Sequence, residues 1–336
     1  MSRNVTVADI AREAGVSMMT VSRVINHKGE VSAATRQRVQ KVIDRLNYRP
    51  SGIARSLATN HSGTIGLMIP DVSNPFFAAV ARGAEHVAGA EGYNIFLCNT
   101  EEDPQRELAV LHSLEEKRVD GVVVFSRLET RQLVGLLKQQ PASVLINRQT
   151  SKNNNDHAIG TVRLDDVLGG QLVTRHLLDR GHRRIGFLAG PPTSHSGQAR
   201  AKGYLQTMTA AGFPPDPLWV HNCAPTVEGG LASARDLLRL QPTLTALFCF
   251  NDLVAVGALQ ACVELGRAVP HDLAIAGYDD IPLAALVTPP LTTCRTPRYE
   301  LGAQAVQLLL NRIRGCNEPC EEVVLQPELI IRASAP

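Results

Sequence analysis

Residues 5–59 read VTVADIAREAGVSMMTVSRVINHKGEVSAATRQRVQKVIDRLNYRPSGIARSLAT, and their first half sets the fold of the N-terminus. Apolar residues recur at helical spacing over residues 7–14, after which Gly15 supplies the backbone freedom for a tight turn. Ser17 is a good N-cap for a second helix over residues 18–26. The pattern therefore predicts two short helices joined by a three-residue turn.

The second helix should bury Val21 with Ile25, and a third helix should begin after Ser32 and end near Tyr48. The other face of the second helix presents two methionines together with small, polar and basic side chains: Met18, Met19, Thr20, Ser22, Arg23 and Asn26. Two helices in this order match the helix-turn-helix geometry that places a recognition helix in the DNA major groove. Periodicity alone fits a generic three-helix bundle equally well.

The charge distribution favours a nucleic-acid partner for this head. Residues 1–60 carry ten Lys/Arg against four Asp/Glu, a net charge of +6, and the rest of the chain carries 24 against 28, a net charge of −4. At 336 residues, the chain should form two or three domains. It has neither an apolar run long enough to span a membrane nor an N-terminal secretory signal, so we expect a cytoplasmic protein.

Beyond His61, apolar strand-like runs alternate with helical patterns. The runs are 65–69, 94–98, 121–125, 143–146, 185–189, 246–250 and 273–277. Such alternation predicts parallel sheets covered on both faces. Ile65-Gly66 and Gly92-Tyr93 recur as Ile185-Gly186 and Gly212-Phe213, each 120 residues later. We therefore expect an α/β body of two similar doubly wound lobes, with a ligand cleft between them.

The body lacks the signatures of an enzyme. No dinucleotide-binding, phosphate-loop or G-x-S-x-G motif occurs, and His176 and His182 have no nucleophile or carboxylate arranged around them in the sequence. The seven cysteines are scattered, and the close pair Cys316 and Cys320 lacks a second pair or nearby histidines. We predict no catalytic site, no metal site and no cofactor.

The whole of residues 5–59 resembles the DNA-binding head of the lactose/galactose repressor (LacI/GalR) family. The body resembles the same family's sensor domain, which is similar to periplasmic sugar-binding proteins. The matching stretches include Pro70–Phe77, Gly181–Ile185, Gln198–Tyr204, Phe250–Asp252, Ala276–Asp280 and Pro289–Thr293. The resemblance implies a DNA-binding domain over residues 1–50, a hinge helix over residues 51–61 and a sensor and dimerisation domain over residues 62–336.

The same resemblance implies which residues contact DNA. Phosphates and bases would be held by Thr6, Ser17, Thr20, Ser22, Arg23 and Asn26, whereas Met18 and Met19 occupy positions where the family varies its base readout. Because methionine donates no hydrogen bond, apolar contact with thymine methyl groups is expected there. Paired hinges of a homodimer, including Ala54, would enter the minor groove, where Leu57 wedges open a base step.

For the effector, the resemblance implies contacts from Asn74, Phe76, Phe77, Asn147, Arg148, Arg200, Asn251, Asp279 and Arg298. Arg200 should await an anionic or hydroxyl-rich ligand, because a buried unpaired guanidinium is costly. Asn251 and Asp279 could instead cap a helix and a turn. Pro225 stands where many relatives carry an aromatic residue, so few pocket aromatics are expected, which argues against a purine. The resemblance to gluconate-type repressors and a convergence of Arg148, Arg200 and Arg298 favour a sugar acid over a neutral sugar.

These features predict a sequence-specific transcriptional regulator, most simply a repressor, of double-stranded operator DNA, controlled by a sugar or sugar acid bound between the lobes. A same-family regulator of nucleosides or purines is the main alternative. A transport solute-binding protein would need an export signal and no DNA-binding head. A sugar-processing enzyme would need a nucleophile or a base that this sequence does not supply.

Overall fold

The structure is a computed structural model that describes residues 5–25, 29–48, 61–148, 159–315 and 322–336. The chain divides into two compact units, Met1–Ser62 and Gly63–Pro336, which we call the head and the body. The hinge predicted over residues 51–61 lies outside the described residues except for His61. The division into three segments therefore stays a prediction.

The head consists of α1 (Val7–Ala14), α2 (Met18–Ile25) and α3 (Ala33–Arg45). Thr6 begins α1 with a capping box, because its side chain accepts from the Asp9 backbone while its own backbone N–H donates to the Asp9 carboxylate. The expected burial of Ile25 is wrong in detail, since Val21 is fully buried together with Val24 and Ile25 is only half-buried. The two buried residues of α2 are thus three positions apart rather than the expected four, so α2 is rotated slightly about its axis relative to the expectation.

The body contains helices and strands in regular alternation. In chain order they are β1 (Thr64–Ile69), α4 (Pro75–Ala90), β2 (Asn94–Asn99), α5 (Pro104–Glu116), β3 (Gly121–Val124), α6 (Thr130–Leu137), β4 (Ser143–Ile146), β5 (Ile159–Leu164), α7 (Asp166–Asp179), β6 (Ile185–Gly190), α8 (His195–Ala210), β7 (Val220–Asn222), α9 (Val227–Leu240), β8 (Ala246–Cys249), α10 (Asp252–Glu264), β9 (Ala274–Asp279), β10 (Thr292–Arg295), α11 (Arg298–Ile313), β11 (Glu322–Leu325) and β12 (Glu328–Ile330). Among the described residues, no helix is long and apolar enough to cross a membrane.

Two six-stranded sheets organise the body into lobes. The N-terminal lobe has the strand order β11-β5-β4-β3-β1-β2, and all of its pairings are parallel. The C-terminal lobe has the order β12-β10-β9-β8-β6-β7, in which only β12 pairs antiparallel. The chain passes between the lobes after β5, after β10 and after β11. The doubly wound two-lobed α/β fold is confirmed.

The internal repeat inferred from the sequence is visible in the structure. Helices α4 and α8 both have 16 residues, and their first residues, Pro75 and His195, lie 120 positions apart. Gly92 and Gly212 follow these helices with positive φ angles of 79° and 82°. Strands β1–β5 and β6–β10 occupy the same order in their sheets. The two lobes therefore have the same arrangement of strands and helices at the carboxyl ends of β1–β5 and β6–β10.

Candidate functional site

The turn between α1 and α2 presents α2 as an accessible helix. Gly15 adopts the left-handed conformation with φ 64°, and its backbone N–H donates to the last carbonyls of α1. Ser17 caps α2 by accepting from the backbone N–H of Thr20 at 3.2 Å. Both predictions for this turn are confirmed, and the turn carries the geometry of a helix-turn-helix unit.

The outward face of α2 is exposed. Met18 and Met19 are 60% and 65% exposed, although large apolar side chains are normally buried. Ser22 and Arg23 are exposed beside them, and Thr20 is half-buried with its hydroxyl 3.0 Å from that of Ser17. Thr6 is exposed at the start of α1. The remaining predicted DNA contacts, Asn26, Ala54 and Leu57, lie outside the described residues.

The body contains a cleft of about 390 Å³ lined from both lobes. Most of the lining residues lie just after the carboxyl ends of strands, which is where ligands bind in doubly wound sheets. Seven of the nine predicted effector residues line it: Asn74, Phe76, Phe77, Asn147, Arg200, Asn251 and Asp279. Arg148 and Arg298 are not among the lining residues. Arg148 is buried, and the Nη2 of Arg298 donates to the backbone oxygen of Asp280 at 2.8 Å.

The expected convergence of three arginines is not seen in the cleft lining, although the charges of Arg148 and Arg298 act on the lining residues His195 and Asp279. Of the three, only Arg200 lines the cleft. Burial lowers the pKa of Arg148, and the nearby Glu107 carboxylate opposes that shift. The preference for a sugar acid loses the structural ground on which it was based.

Arg200 already has hydrogen-bond partners within the protein, contrary to the expectation that it awaits a ligand. It lies on α8 rather than directly after a strand, and its Nε donates to Asp166 at 2.9 Å while its Nη1 donates to the carbonyl oxygen of Phe250 at 2.6 Å. Its guanidinium carbon lies 3.7 Å from the centre of the Tyr278 ring. Burial opposes its charge, but Asp166 and Asp279 raise the pKa of Arg200 above its ordinary value. The residues around it satisfy Arg200 before any ligand arrives.

Asp279 is the acidic group of the cleft whose ionisation is most disturbed. It has a φ of 101°, which is unusual for an L residue, and its Oδ1 lies 3.8 Å from Nη2 of Arg200, too long for a hydrogen bond. Burial raises the pKa of Asp279 to about 6, despite the opposing charge of Arg200. Oδ1 is buried and accepts no hydrogen bond. This oxygen can accept a hydrogen bond from a ligand hydroxyl.

Four helix N-caps line the same cleft: Asn74 of α4, Ser194 of α8, Thr226 of α9 and Asn251 of α10. The capping alternative for Asn251 is confirmed, because its Oδ1 accepts from Val254 at 2.8 Å and its Nδ2 donates to the carbonyl oxygen of Pro225. Helix N-termini favour electronegative ligand atoms. The arrangement suits a ligand rich in oxygen.

The apolar side of the cleft has more aromatic residues than expected. Phe76, Phe77 and Phe125 pack edge to face with ring centres 5.0 to 6.4 Å apart, and Phe250 joins the lining from the other lobe. The expectation of few aromatics is therefore wrong: Pro225 does line the cleft, but Phe125 and Phe250 supply rings from other strands. A flat, partly apolar ligand face is accommodated.

Several lining residues were missed by reasoning from the sequence. They are Pro70, Asp71, Glu101, Glu102, Phe125, Ser126, Arg127, Ile146, Ser194, His195, Ser196, Thr226 and Phe250. Most of them follow a strand directly, so applying the carboxyl-end rule to every strand would have found them. Burial lowers the pKa of His195, and the charges of Arg148 and Arg127 lower it further. His195 is therefore neutral near pH 7.

Within the part of the chain that the structure describes, a hydrogen bond between side chains crosses the cleft. Asn147, with φ 54°, donates from Nδ2 to Ser196 Oγ at 3.4 Å, and its Oδ1 accepts from the backbone N–H of Leu164 at 3.0 Å. Asn147 follows β4 in the N-terminal lobe, whereas Ser196 lies on α8 in the C-terminal lobe. An aspartate at this position could not donate such a bond. The asparagine links the lobes without a ligand.

Comparison with known proteins identifies both parts. A model of the lacI family of bacterial regulatory proteins matches residues 6–51, and a model of a periplasmic binding protein-like domain matches residues 174–335. The chain is 37% identical over 332 residues to the HTH-type transcriptional repressor PurR of Haemophilus influenzae and 38% identical over 329 residues to that organism's ribose operon repressor, each match covering 98% of both chains. A structure of the lac repressor dimer bound to operator and an anti-inducer matches with a TM-score of 0.89 at 26% identity, covering 99% of both chains. The chain therefore belongs to the lacI family of bacterial regulatory proteins, and it is a DNA-binding transcriptional regulator rather than an enzyme.

Proposed function

We propose that the chain is a homodimeric repressor in the cytoplasm, whose two heads bind a pseudo-palindromic operator and whose bodies bind a small sugar or sugar acid between their lobes. One observation carries the proposal: a helix-turn-helix head is joined to a cleft lined by polar residues of both lobes. A ligand held by both lobes stabilises one lobe arrangement over others. It changes operator affinity by its differential affinity for those arrangements.

For DNA recognition, we assign α2 to the major groove. Its exposed Ser22 and Arg23, with Ser17, Thr20 and Thr6, would bind phosphates and base edges, and the head's positive charge supports this. Exposed Met18 and Met19 fit contacts with thymine methyl groups. We extend the interface to the three predicted contacts outside the described residues, with Leu57 as the minor-groove wedge.

For effector recognition, we assign the hydrogen-bonding side of the cleft to ligand hydroxyls and the phenylalanine side to an apolar ligand face. Asp279, Asn251 and Asn147 belong to the first, and Phe76 and Phe77 to the second. A purine or nucleoside is the second candidate, because the cleft has four phenylalanines and relatives named PurR share 37% of aligned residues. The four polar helix caps that line the cleft suit the hydroxyl groups of a sugar and support the first candidate.

Footprinting of DNA upstream of the chain's own gene, with excess bulk competitor DNA at moderate salt, tests the regulator. We expect protection of a two-fold symmetric site, with half-sites separated by about one helical turn or a multiple of it. In parallel, a thermal-shift screen of sugars, sugar acids and nucleosides tests the cleft. Binding that shows no preference over competitor DNA, with or without these compounds, would contradict the proposal.

A further inference from the structure

A second arginine–carboxylate pair lines the cleft, on the lobe opposite to Arg200. Arg127 follows β3 and Glu102 follows β2, both in the N-terminal lobe, and Arg127 Nη2 lies 2.9 Å from Glu102 Oε1. Their side chains are only 16% and 25% exposed. Arg127 Nε is buried without a hydrogen-bond partner. Arg127, which lines the cleft, therefore has one hydrogen-bond donor that no protein group uses.

The backbone holds this pair in place. The buried carboxylate of Glu107 accepts from the backbone N–H of Arg127 at 2.8 Å and from the hydroxyl of Ser126. On the other side of the pair, Glu101 and Glu102 both have left-handed backbone conformations, with φ 54° and 58°. Such conformations are unfavourable for residues with side chains and concentrate at functional sites. The position of the pair is thus set by its surroundings rather than by chance side-chain contact.

The two guanidinium groups that line the cleft already have carboxylate partners. Its lining contains four carboxylates, Asp71, Glu101, Glu102 and Asp279, against the two guanidinium groups of Arg127 and Arg200. Each guanidinium is already paired with a carboxylate, and His195 is neutral near pH 7. An anionic ligand would therefore have to compete with the carboxylate that already pairs with each of these two guanidinium groups. A neutral hydroxyl group, in contrast, can accept from a guanidinium and donate to the adjacent carboxylate.

We propose that the Arg127–Glu102 pair determines effector specificity and that it selects an uncharged polyhydroxylated ligand, which it binds through neighbouring hydroxyl groups. This inference rests on the proposed function and narrows its effector class. Arg127 and Glu102 bind the ligand from the N-terminal lobe, and Arg200 and Asp279 bind it from the C-terminal lobe. The ligand thereby joins the two lobes through the same chemistry at both ends.

The test compares matched probes on the whole chain: ribose with ribonate, glucose with gluconate, and cellobiose with cellobionate. We expect at least one neutral sugar to raise the melting temperature and its acid to bind at least about 10-fold more weakly by calorimetry. Arg127→Gln should weaken the neutral sugar by roughly 10-fold or more, because hydrogen bonds from a charged group are lost. Glu102→Gln should narrow or reverse the preference, because it leaves the Arg127 charge without its carboxylate.

Arg106→Gln is the matched control, since Arg106 forms an ion pair with Glu101 in which both side chains are about half exposed. It should change sugar affinity by no more than about 2-fold. Tighter binding of the acid by the wild type, or equal effects of Arg127→Gln and Arg106→Gln, would overturn the inference. So would the absence of any response to the probes, which would count against the sugar sensor as well. Sugar binding that leaves operator affinity unchanged would contradict the proposed function alone.

Discussion

Asp252, at the start of α10, is a fully buried carboxyl group with both oxygens occupied. Its Oδ1 accepts from the Thr293 hydroxyl at 2.6 Å, and its Oδ2 accepts from the backbone N–H of Ile281 at 2.8 Å. Burial raises the pKa of Asp252 to about 8, and the charge of the neighbouring Asp279 raises it as well. The folded protein therefore keeps a proton on Asp252 at pH values where the unfolded chain has lost it.

This difference predicts a pH dependence of stability. The folded state binds the extra proton between about pH 4 and about pH 8, so the contribution of Asp252 to the free energy of unfolding falls as the pH rises through that window. Asp252→Asn removes the titrating group but keeps the shape. Relative to this variant, the wild type should lose stability by about 1 kcal/mol per pH unit in urea unfolding. Parallel pH profiles of the two proteins would contradict the raised pKa.

Arg200 provides a second prediction at the scale of one residue. Arg200→Ala leaves the carboxylates of Asp166 and Asp279 buried without their cation, so it should reduce the free energy of unfolding by about 3–5 kcal/mol. The control Arg235→Ala removes a partly exposed ion pair with Glu264 and should cost less than about 1 kcal/mol. Equal losses in chemical denaturation would show that Arg200 is not a structural centre. Because of this role, loss of ligand response in Arg200→Ala alone would not identify a ligand contact.

At the scale of elements, three helix pairs pack through facing glycines. Gly83 and Gly302 join α4 with α11, Gly170 and Gly203 join α7 with α8, and Gly230 and Gly257 join α9 with α10. At each of these glycines, a Cβ atom would overlap the backbone of the partner helix. The helices can therefore approach closely enough to cover the sheets only where side chains are absent.

Gly83→Ala tests this packing. A methyl group there overlaps the carbonyl oxygen of Tyr299, so the helices must separate, and we expect a loss of about 1–3 kcal/mol in the free energy of unfolding. Gly89, on the same helix, is the control, because the nearest atom to an added Cβ is a Glu85 carboxylate oxygen at 3.8 Å. Gly89→Ala should stabilise the protein by about 0.5–1 kcal/mol through helix propensity. A neutral Gly83→Ala variant would refute the close approach.

The elements also show what the sequence could predict. The first two head helices and seven strands lie within two residues of their expected bounds, because helical periodicity and continuous apolar runs are local signals. The third head helix begins as expected and ends three residues early, at Arg45. Strands β5, β7, β10, β11 and β12 were not predicted. Most are short and contain polar residues, such as the VHN of β7 and the TTCR of β10, and they are defined by pairing with strands distant in the chain.

For the cleft, too, features that depend on nearby residues could be predicted, whereas contacts between residues distant in the chain could not. The position of the cleft could be predicted from the pattern of two doubly wound lobes, and seven of its residues from the family resemblance. The pairing of Arg200 with Asp166, 34 residues away, and that of Arg127 with Glu102, 25 residues away, could not. Arg200 meets Asp166 because α8 packs against α7, and Arg127 meets Glu102 because β3 and β2 both flank β1. Errors about charge in the cleft therefore arose from partners that only the fold brings together.

At the scale of the whole molecule, the duplicated lobes are joined by three passages of the chain. Because only a few connections join the lobes, small backbone rotations at these passages can change the position of one lobe relative to the other, as in other hinged binding domains. The Asn147–Ser196 hydrogen bond is the kind of weak contact that a ligand can replace or reinforce. Operator control then depends on the free energy by which the ligand favours one arrangement.

The most direct test of this account is fluorescence anisotropy of a labelled operator duplex titrated with the whole chain, with and without a saturating sugar that the thermal-shift screen identifies. We expect the sugar to change operator affinity by at least about 5-fold, while affinity for a scrambled duplex of equal length stays the same. The operator should change the sugar's affinity by the same factor, since coupling is reciprocal. Equal operator affinity with and without the sugar would contradict the claim that the body controls the head.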